Sequence, residues 1–253
     1  MSDRRLTPHP DWASGAEAAA VAVPLADLLA SPQGPRDRQL LLGEAVTVLG
    51  RRDGMAHLRA EKDGYHGFVA GTALGPAITP THRVSAPATH AYAAPDIKSA
   101  DRLSLGFGAR VAALGESATF IETAHGHIPK RHLRPADSTE DDPAEVALLF
   151  LGTPYLWGGN SRWGIDCSGL VQAALLACGI PCPGDSDLQS RAFAPASGPR
   201  QEGDLLFWKG HVAMALDDTR LIHANAHHMA TVIEDADTAL ARIGDPLLAH
   251  LRP

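Results

Sequence analysis

Apolar positions in the first 136 residues come in short runs cut by turn residues, a pattern that predicts strands rather than helices. Leu40-Leu41-Leu42 leads into Gly43-Glu44, and Ala45 to Leu49 then alternates. Arg51-Arg52-Asp53-Gly54 supplies a hairpin turn, Met55 to Ala60 returns, and Asp63-Gly64 turns the chain into Tyr65 to Val69. About five short strands in roughly 55 residues fit a small barrel. From Thr81 to Pro135 the rhythm repeats: Leu105 to Ala109 stands where Leu40 to Glu44 stood, Arg110 to Leu114 parallels Ala45 to Leu49, and Gly126 to Pro129 replaces Gly67 to Ala70. Two degenerate copies predict tandem barrels. After a polar, proline-bounded junction from Pro135 to Pro143 the period changes, and Ala144, Val146, Ala147, Leu148, Phe150 and Leu151 take near-helical spacing.

Leu170, Val171, Ala174, Leu175 and Cys178 then mark one face of a second helix, with Asp166 as N-cap, Gly179 past its end and Pro181 as a stop. Gly203 to Trp208 reads as a strand, His211 to Leu216 as another, and Asp217-Asp218-Thr219 as the turn into Leu221 to Ala224.

Composition narrows the partners. The 253 residues carry 22 Lys+Arg against 29 Asp+Glu, a net charge of −7, which argues against nucleic acid or an anionic membrane. A hydrophobic fraction of 45% with 20% charged residues describes a packed, soluble chain. Three cysteines cannot complete a disulfide framework, and the first residues lack the apolar core of a signal peptide. Ala16 to Val23 contains Glu17 and is too short to span a bilayer. We therefore expect a cytoplasmic protein.

Cys167 falls in the first turn of the helix capped by Asp166. A lone cysteine is ordinarily a small buried hydrophobe. In the first turn, however, the helix dipole and open N–H groups favour a thiolate and can hold an oxyanion, so the thiol pKa is expected to fall. With the hairpin turn near residue 217, His211 and His223 come roughly opposite each other on adjacent strands. That places a base beside an orienter: His211 takes the Cys167 proton and His223 fixes its tautomer.

These elements carry a resemblance. Thr153-Pro-Tyr-Leu-Trp-Gly-Gly-Asn-Ser, Gly164-Ile-Asp-Cys-Ser-Gly-Leu, Gly203-Asp-Leu-Leu-Phe-Trp, Gly210-His-Val-Ala and Leu221-Ile-His-Ala resemble, in order, the NlpC/P60 family of papain-like cysteine peptidases. In the first copy the Leu run into Gly-Glu and Gly64-Tyr-His-Gly-Phe-Val resembles bacterial SH3-type domains; the second copy is weaker. The implied fold is α+β, a papain-like NlpC/P60 catalytic domain preceded by two small SH3-like β-barrels. The corresponding division is an N-terminal segment 1–21, SH3-type domains 22–78 and 79–137, and a catalytic domain 138–253.

The resemblance implies hydrolysis of the γ-D-glutamyl–diamino acid bond of cell-wall peptides. Cys167 would be the nucleophile, His211 the base, His223 the third polar member and Tyr155 a hydroxyl donor near the thiol. The arrangement is similar to a subgroup that trims free peptides beginning with L-Ala during recycling, with the first SH3-type domain selecting the free amine. Glu44 and Tyr65 are the candidates for that amine, with Asp63 and Glu61 as rivals and Asp166 helping. Ser186 would contact the D-glutamate carboxylate, and Ser168 and Trp157 complete the substrate-binding set.

Two positions depart from the family. Pro183-Gly184-Asp185-Ser186 lacks a basic residue common in the family, a contact that is either missing or supplied by Arg162 or Arg191, and Met55 stands where a tryptophan is common. His223, His227 and His228 form no closed ligand spacing, so neither metal nor cofactor is expected. Cys178 reads as helix core and Cys182 as incidental. The expected partner is a small peptide from peptidoglycan, not nucleic acid or membrane, and the chain is expected to be a monomer. The competing readings are a non-catalytic cell-wall peptide-binding protein and a thiol amidase or acyltransferase on the same fold.

Overall fold

A computed structural model describes residues 3–253. They fall into two compact units, one ending at Ser138 and one spanning Thr139–Pro253. In the first unit, strands β1 (Glu17–Val21), β2 (Leu25–Leu29), β3 (Arg36–Leu41), β4 (Ala45–Arg52), β5 (Met55–Ala60), β6 (His66–Ala70) and β7 (Leu74–Pro76) form one sheet in the order β3-β2-β6-β5-β4-β1-β7. Asp53 and Gly54 both have positive φ, 51° and 75°, as a tight hairpin between β4 and β5 requires. The sheet curls around Leu28, Leu40, Val46, Val48, Leu58, Tyr65 and Val69.

The segment before residue 22, set apart in the sequence, supplies β1, which pairs with β4 and β7 and buries Ala19, Ala20 and Val21. An alanine-rich run has weak strand preference, so only its tertiary partners reveal it. Ahead of β1, the Trp12 ring packs edge-on against Phe68 and beneath the Arg52 guanidinium.

The second barrel repeats the plan with β8 (His82–Val84), β9 (Ala88–Tyr92), β10 (Asp101–Gly106), β11 (Arg110–Val111), β12 (Ala113–Glu116), β13 (Phe120–Thr123), β14 (Gly126–Pro129) and β15 (Leu133–Pro135). These form a five-stranded sheet, β10-β9-β14-β13-β12, and a three-stranded one, β11-β8-β15. Leu41 and Leu42 of the first copy enter this core beside Val84, Leu105, Ile121 and Ile128, so the two copies are sewn together. Gly43 sits at the seam with φ +75°, and a Cβ there would stand 2.0 Å from the Arg110 carbonyl oxygen.

The second unit contains α1 (Pro143–Leu148), β16 (Asn160–Ser161), β17 (Gly164–Ile165), α2 (Cys167–Ala177), α3 (Ser186–Gln189), β18 (Ala194–Pro195), β19 (Leu205–Trp208), β20 (His211–Ala215), β21 (Arg220–Asn225), β22 (Ala230–Asp235), α4 (Ala236–Ile243) and β23 (Ala249–Arg252). A six-stranded sheet in the order β18-β23-β19-β20-β21-β22 carries α2 against β20 and β21. Ala236 and Ala239 of α4 join Leu206, Trp208, Ala213, Ala215 and Leu221 in a separate core cluster. Asp142 caps α1 through the Ala144 N–H, with Pro143 in the first turn, and Gly179 follows α2 at φ +74°. Cys182 is buried rather than incidental, whereas Cys178 at the end of α2 is half-buried. Among the described residues no helix is long and apolar enough to cross a membrane.

Candidate active site

The site is built around the start of α2. Asp166 has extended backbone geometry, and its Oδ1 accepts from the Gly169 N–H at 2.7 Å and the Ser168 hydroxyl at 3.0 Å. This is an N-cap that satisfies an otherwise open helical donor. Oδ2 accepts from the Gly158 N–H at 2.8 Å and so draws the Trp157-Gly158-Gly159 loop onto the helix. Gly169 permits that approach, because a Cβ on it would lie 2.6 Å from the Gly159 oxygen.

Cys167 follows directly and is only 7% exposed. Its thiol is pushed up to about 12, first by burial and then by the Asp166 charge, against the N–H groups of Val212, Ser168 and Cys167 itself. The expected fall in thiol pKa is thus reversed. Helix-terminal amides supply about 0.3–1 kcal/mol, whereas full burial of a titrating group moves it by up to about 3–5 pKa units. The Val212 amide nonetheless places the start of β20, and so the neighbourhood of His211, at the sulfur.

Tyr155 is held by its own N–H to Met229 O at 2.9 Å and bridges to Ile165 just before the cap. Burial, then the charges of Cys167 and Asp166, pushes its hydroxyl up to about 12, so it remains a proton donor beside the thiol.

The two histidines are not directly opposite. Met214 pairs with Ile222 and Ala215 with Leu221, and continuing that register sets His211 opposite Asn225. An offset of two residues preserves the face, and the rings meet diagonally with His211 Nε2 2.9 Å from His223 Nδ1. His223 Nε2 lies 2.6 Å from Glu234 Oε2, again across a two-residue diagonal, since Glu234 pairs with Leu221. Arg242 of α4 donates to both Glu234 oxygens, at 2.6 and 3.2 Å. Burial, then His223 and Arg242, lowers His211 to about 4, with Glu234 opposing, and burial also lowers His223. Burial thus favours the uncharged form of both imidazoles and of the Cys167 thiol. The Trp208 ring covers His211 at 5.7 Å between centroids.

Glu234 and Arg242 escaped the sequence reading. The one available signal was the third strand of the meander, but Asn225 to Met229 contains no turn motif that fixes its register.

The substrate-binding set divides. Trp157, in the anchored loop, is 68% exposed. The Ser168 hydroxyl is committed to Asp166 rather than open to substrate. Ser186 begins α3, which Gln189 ties to α2 by donating to Ser168 O and Pro183 O, each at 3.0 Å. Arg162 donates to the carbonyls of Leu149 and Leu151, and Arg191 pairs with Asp187 on the surface, so both are engaged within the fold.

Glu44 and Tyr65 belong to the first unit. Tyr65 is a core residue of the first barrel with Arg38 over its ring, not an open wall residue. Of its rivals, Asp63 is buried against Arg38 and Glu61 accepts from Thr47 and Arg59. Glu44 Oε1 accepts from Lys62 at 2.6 Å, while its buried Oε2 accepts from no group. Among the described residues no group of three or more His, Cys, Asp or Glu is placed to hold a metal ion.

This constellation, a thiol at a helix start beside a histidine pair on an antiparallel sheet, is that of a cysteine peptidase. Residues 152–240 match the NlpC/P60 family and residues 28–74 the bacterial dipeptidyl-peptidase SH3 domain, so the chain carries an NlpC/P60 domain together with an SH3 domain of that kind. It is 29% identical over 223 residues to a γ-D-glutamyl-L-lysine dipeptidyl-peptidase of Bacillus cereus, covering 74% of this chain and 67% of that protein. It is 37% identical over 110 residues to dipeptidyl-peptidase 6 of Lysinibacillus sphaericus, covering 40% of this chain and 41% of that one. The chain therefore spans two thirds of the first relative and less than half of the second. The crystal structure of an NlpC/P60 family protein from Bacillus cereus shares the fold, with a TM-score of 0.79 over 94% of this chain and 99% of that one at 23% identity.

Proposed function

We propose that the protein hydrolyses the γ-D-glutamyl–diamino acid bond of peptidoglycan-derived peptides with a free N-terminal L-Ala, and that it serves peptide recycling in the cytoplasm, where a catalytic thiol stays reduced. The observation that carries the reaction is the buried Cys167 thiol facing the Val212 amide, one residue from a His211 that is paired to His223 at 2.9 Å. The names of the relatives support the substrate.

Because thiol and imidazole are both neutral at rest, proton transfer accompanies attack instead of preceding it. Cys167 Sγ bonds to the γ-glutamyl carbonyl carbon as its proton passes to His211. The Cys167 N–H and the Tyr155 hydroxyl donate to the oxyanion, and the His211 imidazolium gives its proton to the departing amine. Water, with His211 as base, then cleaves the thioester. The free-amine requirement rests on the match of residues 28–74 to the dipeptidyl-peptidase SH3 domain, and Glu44 within that stretch stays its candidate on that ground alone.

The test is mass spectrometry of L-Ala-γ-D-Glu-meso-diaminopimelate incubated with the enzyme, beside its N-acetylated form. Cleavage of the free-amine peptide alone is expected. Cleavage of both would remove the amine requirement, and cleavage of neither would overturn the peptidase in favour of a binding module or acyltransferase.

A further inference from the structure

The histidine pair does not end the hydrogen-bonded chain. Beyond it stand Glu234 Oε2, 2.6 Å from His223 Nε2, and Arg242, whose Nη2 and Nε hold Oε2 and Oε1 at 2.6 and 3.2 Å. His228 Nδ1, 3.7 Å away, is a further titratable group beside this carboxylate. We propose that Glu234 is a positioning residue that sets the direction of every proton along this chain and so leaves His211 Nδ1 as the base. The inference rests on the peptidase reading above and concerns a residue that never touches substrate.

The logic is one of donors and acceptors. A carboxylate can only accept, so His223 must carry its proton on Nε2. The neutral His223 ring then offers a lone pair at Nδ1, and the His211 nitrogen 2.9 Å away must donate to it. His211 therefore carries its proton on Nε2, and Nδ1 is the ring nitrogen left with a lone pair for the thiol proton. Without the carboxylate, His223 can hold its proton on Nδ1, His211 Nε2 becomes the acceptor, and His211 Nδ1 is blocked by its own proton. Arg242 keeps the carboxylate ionised: burial pushes Glu234 up, but the hydrogen bonds from Arg242 and His223 outweigh it. When His211 becomes an imidazolium, the same carboxylate two bonds away stabilises it.

The experiment combines kinetics with imidazole nitrogen NMR. In a Cys167→Ala background, 15N-histidine labelling should show both His211 and His223 protonated at Nε2. In Cys167→Ala/Glu234→Ala, the signals should move toward Nδ1-protonated forms. In the otherwise intact enzyme, Glu234→Ala should lower kcat by about 10- to 100-fold with KM changed less than about twofold. Should that variant fail to fold, Glu234→Gln serves: its amide both donates and accepts, so mixed tautomers and an intermediate kcat are expected. Unchanged tautomers and unchanged kcat would overturn the proposal. An enzyme that cleaves none of the peptides would refute the proposed reaction instead, and the tautomer measurement, which needs no turnover, would still judge Glu234.

Discussion

Gly158 donates its N–H to Asp166 Oδ2 at 2.8 Å, so the residue that caps the Cys167 helix also anchors the loop running from Tyr155 to Gly159. One carboxylate therefore ties the Cys167 helix to the loop that carries Tyr155. It also opposes thiolate formation, since its charge adds to burial in pushing the Cys167 thiol up. Order at the site is obtained at the expense of resting reactivity.

Removing that charge should separate the two effects. Asp166→Asn keeps the cap but sets an NH2 against the Gly158 amide, so it should cost about 1–2 kcal/mol in urea unfolding while Cys167 alkylates faster at a given pH. Asp166→Ala should cost more, about 2–3 kcal/mol. Unchanged alkylation in both variants would remove Asp166 as a cause of the raised thiol.

The thiol should behave as a neutral group at rest. With its pKa near 12, Cys167 should react with iodoacetamide at pH 7 more slowly than an exposed cysteine, its rate climbing through pH 9 without a plateau. Peptide mapping of the alkylated protein reads this directly, and a plateau at neutral pH would mean a preformed thiolate. Cys167→Ala should lower turnover at least about 1000-fold with the thermal transition unchanged within a few degrees.

Acid should weaken the fold before the carboxylates titrate. His211 and His57 both lie near 4, each chiefly through burial, against 6.5 when unfolded. Between those values the unfolded chain binds more protons, so stability is full above about pH 6.5 and falls as pH drops toward 4, by up to ~3 kcal/mol per imidazole. Thermal unfolding at pH 7 and 4.5 should show the loss, and His57→Gln should reduce it. The acid limb of kcat/KM should likewise fall near pH 4, where His211 takes up its proton.

Gly169 is the packing point between loop and helix. Gly169→Ala would bring a methyl to 2.6 Å from the Gly159 oxygen, although alanine is the better helix former. Loss of about 1–3 kcal/mol and a lower kcat are expected together. A stabilised, fully active variant would show that the loop can move aside without consequence.

The period-two runs around Ala45 to Leu49 and Met55 to Ala60, the Asp53-Gly54 turn and the Asp166 to Gly179 helix frame were legible because each rests on residues adjacent in the chain. So were Cys167, His211, His223 and Tyr155, whose ordered motifs are local as well. Other features depend on packing between distant segments. Ala19 to Val21 became a strand only by pairing with β4 and β7, and Tyr65 became core by packing among Leu28, Val46, Leu58 and Val69 with Arg38 over its ring. The diagonal from His211 through His223 to Glu234 depends on the register of three strands, and Arg242 reaches it from a helix beyond them. The sequence by itself determined which chemical groups are present and the local frames that carry them. The tertiary structure decided their electrostatic surroundings, because burial, which no local pattern reports, outweighs the helix terminus and pushes Cys167 and His211 toward their uncharged forms.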